Sequence, residues 1–331
     1  MNQVGGRSGA IRLLIGLAIS LVFIVATVSR VDLAQVADAL RRVDFRVFLI
    51  AVPLIFLELV LRGLRWRRLL APMAPVTLGR SVAYLAIGYF ANSILPARLG
   101  DLARAYLAGQ SFGISRLAVL GTVVVERLSD GLFILGLVAV LGASVAGGAS
   151  LAASAGWLVP LAAVGVVVLV VAIAWLRRSG EGRIRGRVRS LVERVLSGAA
   201  ALRSPSGAAL VVSLTVVAFL PSVANFALLA NAAGLQVSLA QCALVMGGLA
   251  LSTSIPAAPG SIGTYEFVGL TILTALGVNA DLALAVVVLV HLIVTLPLAL
   301  TGMVAAWQLH FRVSEIADDA EPAVLVQDDA A

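Results

Sequence analysis

Apolar runs and short arginine-rich intervals alternate along this chain, and the runs dictate what can be built. Six of them, over 13–28, 47–61, 131–147, 157–176, 210–232 and 282–307, approach the roughly 20 residues that carry a helix across a bilayer. The first follows Arg7 and Arg12 and has the look of a signal-peptide core. No small-x-small cleavage site follows it, so it reads as a retained helix. Between the first two runs, VDLAQVADALRRVDF sets Val31, Val36, Leu40 and Val43 near helical spacing with charges elsewhere around the helix. That pattern predicts a short helix lying at the membrane interface.

Two further runs are interrupted. Residues 81–95 are too short for a comfortable crossing and stop at Pro96, before the charged RLGDLARAY. Residues 238–256 and 263–276 are separated by IPAAPGSIG. The run that resumes at Leu117 is itself broken by ERLSD at 126–130, so 81–125 reads as a re-entrant hairpin and 131–147 as a separate span. Two Pro/Gly-interrupted pairs, one entered from each face, point to a central site in an inverted repeat; either pair could instead be two complete crossings. The expectation is an all-α polytopic membrane protein with about six full spans and two broken or re-entrant helix pairs.

Composition agrees. Of 331 residues, 61% are hydrophobic and 12% charged, and the mean hydropathy is +1.06. A soluble domain averages about 45–50% and about 25% and could not hide so much apolar surface. The lone cysteine, Cys242, excludes a disulfide or cysteine metal cluster within one chain. All 24 basic residues are arginine, and the net charge of +7 conceals an acidic end, since the last eighteen residues hold six acids and no base. The arginines flank apolar spans, where topology and anionic lipid explain them better than nucleic acid does.

Charge also orients the chain. The loop 177–203 holds eight arginines against Glu181 and Glu193, which assigns it to the cytoplasm. Counting spans outward from it makes the N-terminus, residues 62–80 and the C-terminal tail cytoplasmic as well. Residues 1–311 then form the membrane domain, with 177–207 as its basic loop, and 312–331 a disordered acidic tail.

Candidate chemistry gathers at the breaks, because irregular backbone at membrane depth must be buried in protein or line a cavity. In NSILPARLGDLARAY, Arg98, Asp101 and Arg104 are spaced by three and share one helical side. Two guanidiniums flanking a carboxylate could grip a lipid phosphate, or the three could be water-facing charges that neutralise one another. Glu126 and Asp130 are four apart with Arg127 between them, and they read as partners of Arg98 or Arg104 across the hairpin. Gly260 and Gly263 permit a tight turn, and Glu266 follows in the first turn of the next helix. That helix start could hold an anion, or Glu266 could be a structural cap. His291 could titrate or simply hydrogen-bond a neighbouring helix. Glu58 and Arg62, four apart, read as a structural ion pair, and Arg62, Arg65, Arg67 and Arg68 around Trp66 as an interfacial anchor. No Walker loop, metal-ligand cluster or GxSxG elbow is present, so neither an enzyme, an ATP-driven pump nor a cofactor is expected.

The runs LRGLRWRRLL, NSILPARLGDLARAY, VVVERLSDGLFIL and SIPAAPGSIGTYEF, in that order, resemble the lysylphosphatidylglycerol synthase transmembrane (flippase-like) family. By that resemblance Pro96, Arg98, Gly100, Asp101, Arg104, Glu126, Arg127, Asp130, Pro259, Gly260, Gly263 and Glu266 occupy motif positions. The resemblance implies a bacterial inner-membrane protein whose relatives translocate lysylated phosphatidylglycerol or accompany glycolipid and polyprenyl-phosphate pathways. Ser261 stands where many relatives have another glycine, and the soluble aminoacyl-transferase domain of full-length synthases is absent from the sequence. The expectation is a carrier that moves or binds an anionic-headgroup or polyprenyl-phosphate lipid, or else a non-transporting membrane partner of a lipid-modifying or glycosyl-transferring enzyme.

Overall fold

A computed structural model of the chain describes residues 4–95, 99–141, 192–253 and 258–309. Among them there is no strand, and the chain is an all-α membrane protein. The expected span at 157–176, most of the basic loop and the acidic tail lie outside the described residues.

Helix α1 (Val4–Val28) leads into α2 (Leu33–Arg41), which turns away from it by 86°. Asp32 caps α2 by accepting from the Ala34 N–H at 2.8 Å. Its amphipathic pattern therefore ends in a helix nearly perpendicular to the span before it, the orientation expected at an interface.

The remaining helices form two units of like design. The first is α3 (Phe48–Leu70), α4 (Leu78–Ile94), α5 (Gly100–Phe112) and α6 (Arg116–Leu141). The second is α7 (Pro205–Ala232), α8 (Leu239–Ser252), α9 (Thr264–Ala275) and α10 (Ala280–Gln308). Each runs long, short, break, short, long. The units pack reciprocally: α3 lies along α7, α4 along α10, and α6 along α8. Asn225 of α7 donates to the Ala51 carbonyl near the start of α3, while Arg65 near its end donates to Thr215 early in α7, so these helices are antiparallel. Asp281 at the start of α10 accepts from the Asp32 N–H at 2.7 Å, which places that start beside the start of α2. The inverted arrangement read from the two breaks is present in the packing.

Small residues let the units approach. A Cβ on Gly302 of α10 would come within 2.0 Å of the Ala86 carbonyl of α4, so backbones touch there, as helices packed in lipid do where no hydrophobic force drives them together. Outward, Leu21, Val22 and Val25 of α1 and Leu292, Leu296 and Leu300 of α10 are exposed, an apolar face suited to acyl chains.

One expectation needs correction. The ERLSD run does not divide two segments: α6 passes through it as one helix, and the broken hairpin is α4–α5 alone. Charge lowers hydropathy without removing a backbone hydrogen bond, so a paired charged patch continues a helix. Three helices among the described residues are long and apolar enough to cross, within Phe45–Leu70, Pro205–Ala232 and Ala280–Gln308, or four with the bent α1–α2 pair.

Candidate functional site

Glu58, Arg62 and Arg65 recur at i, i+4 and i+7 on α3 and so share one face. Opposite them α6 presents Glu126 and Asp130 at i, i+4, and α5 presents Asp101 and Arg104 at i, i+3. The three helices close on one alternating ladder of charge. Glu58 pairs with Arg62 at 2.7 Å, and Arg62 reaches Asp130 at 3.6 Å. Arg65 bonds both oxygens of Asp130 and reaches Glu126 at 3.2 Å. Arg104 then joins Glu126 at 2.6 Å to Asp101 at 3.1 Å, and Arg127 closes on Asp101 at 3.1 Å. Four carboxylates alternate with four guanidiniums, and the ladder is neutral.

Burial explains the alternation. Arg65, Arg104 and Glu126 are each 2% exposed, and a single unpaired charge there would cost several kcal/mol. Trp66 supports the inner rungs, with its indole N–H donating to Thr122 at 2.9 Å and its ring lying 5.2 Å from the Arg104 guanidinium.

The second break forms the other wall. Gly260 and Gly263 have φ of 71° and 90°, a region that L side chains rarely adopt, and between them Ser261 is held at 59°. The Gly263 N–H donates to Glu266 Oε2 at 2.7 Å, so Glu266 is a cap on α9. Its Oε1 lies 2.5 Å from His291 Nδ1, whose Nε2 is 2.9 Å from the Gly260 carbonyl. Tyr265 stacks on the imidazole at 4.2 Å. Helix α1 braces the turn, with Ser20 Oγ accepting from the Ala258 N–H at 2.8 Å.

Between the walls lies a cavity of about 280 Å³. Arg62, Arg65, Arg127 and Asp130 face it from one side, Gly260 and His291 from the other. Arg65 Nε and Arg127 Nε are buried without a hydrogen-bond partner, so the charged wall is not fully satisfied from within.

The residues named from sequence divide. Arg127, Asp130 and Gly260 line the cavity; Asp101, Arg104, Glu126, Pro259, Gly263 and Glu266 stand behind them and hold the walls. Pro96 and Arg98 lie outside the described residues. Arg104 is buried between two carboxylates and Trp66, so it orients the ladder and is not a cavity-facing clamp. Glu126 does pair with Arg104 as expected, while Asp130 turns to Arg62 and Arg65. Sequence reasoning paired Arg62 with Glu58, as the structure does, but read RGLRWRR as an interfacial anchor and so missed both arginines as cavity residues; Arg65 and Trp66 are buried. The signal was available in the i, i+4, i+7 spacing of Glu58, Arg62 and Arg65. Among the described residues no group of three acidic, His or Cys side chains is placed to hold a metal ion.

No curated protein and no solved structure matches the chain. Residues 13–302 do match the sequence model described as lysylphosphatidylglycerol synthase TM region, and the match takes in both broken hairpins and every ladder residue. The chain belongs to the lysylphosphatidylglycerol synthase transmembrane-region family.

Proposed function

We propose that the protein binds a lipid with an anionic phosphate head group in the cavity between the two broken hairpins and passes it across the bilayer, acting as a carrier and not as a catalyst. The observation that carries this reading is the position of the cavity: it lies where two oppositely directed units meet, with arginines facing inward and an apolar exterior. Substrate sites of inverted-repeat carriers lie at such junctions. The head group leaves water for Arg62, Arg65 and Arg127, whose guanidiniums stay charged at any relevant pH, while the acyl chains remain in lipid against the outer helix faces. The proposed setting is a bacterial inner membrane with the turn after α3 on the cytoplasmic side, as the arginine distribution requires.

The test is reconstitution in phosphatidylcholine vesicles with headgroup-accessible fluorescent phosphatidylglycerol or a polyprenyl phosphate. Lipid exchange between leaflets above that of empty vesicles, reduced at least tenfold by Arg127→Ala, is the expected result. Exchange no faster than in empty vesicles for each of these lipids overturns the reading.

A further inference from the structure

Both nitrogens of His291 face oxygen. The Gly260 carbonyl can only accept, so Nε2, 2.9 Å away, carries a hydrogen and donates it. That leaves the 2.5 Å approach of Nδ1 to Glu266 Oε1. A neutral imidazole with its N–H on Nε2 presents a lone pair at Nδ1, which would meet a carboxylate lone pair head-on. The separation therefore requires one proton between them, on the ring or on the carboxyl. In either form the pair is electrically neutral overall.

This proton ties α10 to both sides of the second turn, through the Gly260 carbonyl and through Glu266, which caps Gly263. The ionisable groups that line the same cavity as His291 come from several helices: Tyr265 on α9, Glu58, Arg62 and Arg65 on α3, Tyr89 on α4, and Arg127 and Asp130 on α6. Arg30, at the end of α1, lies over the ring of Phe267 on α9 at 5.3 Å. The parts of α7 and α8 that line the cavity are uncharged, among them Ser222, Asn225 and Met246.

We propose that Glu266 and His291 form a proton-binding site coupled to the anion site, so that one proton accompanies each anionic head group; this rests on the reading of the cavity as a lipid site. The coupling follows from charge. The eight ladder residues cancel among themselves, and the protonated pair adds nothing to them. When the proton leaves, the cavity gains one negative charge, and either Gly260 or Glu266 loses its hydrogen bond to the ring. An anion is then opposed where it had been accepted. Linkage makes the effect mutual, so bound anion holds the proton and bound proton holds the anion. The expected difference in anion affinity is roughly tenfold, the order of effect of one unit charge acting across the cavity at an effective dielectric constant of about 20.

The full chain in detergent tests this with two readouts. In the first, a nitroxide on Ile262→Cys, in a Cys242→Ala background, reports the mobility of the turn against pH without lipid. In the second, at the pH midpoint of the label's transition, where the lipid-free pair holds its proton only part of the time, an indicator dye in weak buffer reports proton uptake as short-chain phosphatidylglycerol is added and its binding is followed. Wild type is expected to show a label that loosens with rising pH, proton uptake on binding, and affinity that falls roughly tenfold across the same transition. Glu266→Gln keeps a donor toward Nδ1 and the Nε2–H on Gly260, so its label should ignore pH and its binding should take up no proton. His291→Gln, which has no imidazole to share the proton, serves the same purpose should the first variant misfold. A wild-type label indifferent to pH, or lipid binding without proton uptake, overturns the proposal, as does a Glu266→Gln protein that keeps both responses. Failure of the lipid to bind overturns the lipid reading and the coupling with it, while the label in that same preparation still decides whether the proton site exists.

Discussion

The α-carbon of Gly100, at the start of α5, packs so closely on the Gly88 carbonyl of α4 that a Cβ added there would sit 1.9 Å from that oxygen. The Gly100 N–H is spoken for as well, donating to Asn92 Oδ1 at 2.9 Å. The first broken hairpin is thus closed backbone to backbone. Gly100→Ala must push α5 away from α4, at a cost of about 1–3 kcal/mol. Thermal unfolding in detergent should show a clear loss of stability, whereas alanine at Gly79, which has open space around its α-carbon, should leave the melting temperature nearly unchanged.

Arg65 holds Asp130 and Glu126 together at 2% exposure. Arg65→Ala leaves the ladder with one uncompensated negative charge in the interior, and removal of one partner from a buried pair typically costs about 3–5 kcal/mol. Arg65→Lys keeps the charge but not the two-pronged geometry, so it should recover only part of that loss. A combined Arg65→Ala, Asp130→Asn protein should be more stable than Arg65→Ala alone, because it restores the neutrality of the ladder; chemical denaturation of the three variants checks the order.

At the second turn, Gly263 has φ of 90°, and a Cβ there would lie 2.7 Å from the Ser20 carbonyl of α1. Gly263→Ala should therefore cost about 2–3 kcal/mol through strain and contact together. Ser261, at φ of 59°, predicts the opposite sign. Glycine there relieves about 1 kcal/mol of left-handed strain and returns about half of it as unfolded-chain entropy, so Ser261→Gly should gain about 0.5 kcal/mol. Paired melting curves read both.

The antiparallel contact of α3 and α7 fixes sidedness. Ala71 follows α3, Gln236 follows α7, and both are exposed. Cysteines at these two positions, in a Cys242→Ala background, should react with a membrane-impermeant thiol reagent from opposite sides of the membrane. Labelling of both from one side overturns the inverted arrangement.

Much of the fold was legible because bilayer thickness and helical period act on sequence directly. The α1 helix, the short amphipathic α2 and both breaks were each read from spacing, proline and glycine. What was not legible concerns facing. RGLRWRRLL has the same letters whether Trp66 and Arg65 meet lipid head groups or the protein interior, and only the approach of Glu126 and Asp130 decides. The continuity of α6 was missed for a related reason, since ERLSD interrupts hydropathy and leaves the helix intact. Glu266 was left between cap and anion-site breaker because its second oxygen's partner, His291, is 25 residues away in sequence. The glycines of the turn were readable, whereas the left-handed Ser261 between them was marked only as a departure from a family pattern.

The charge ladder belongs entirely to α3, α5 and α6. Synthesis runs from the N-terminus, so all eight groups reach the bilayer before α7 emerges to form the far wall. Had the arginines come from one unit and the carboxylates from the other, the nascent first half would wait with four unmatched charges in hydrocarbon. As built, each finds its counter-ion among helices already made, and the second unit arrives to cover a surface that is already neutral.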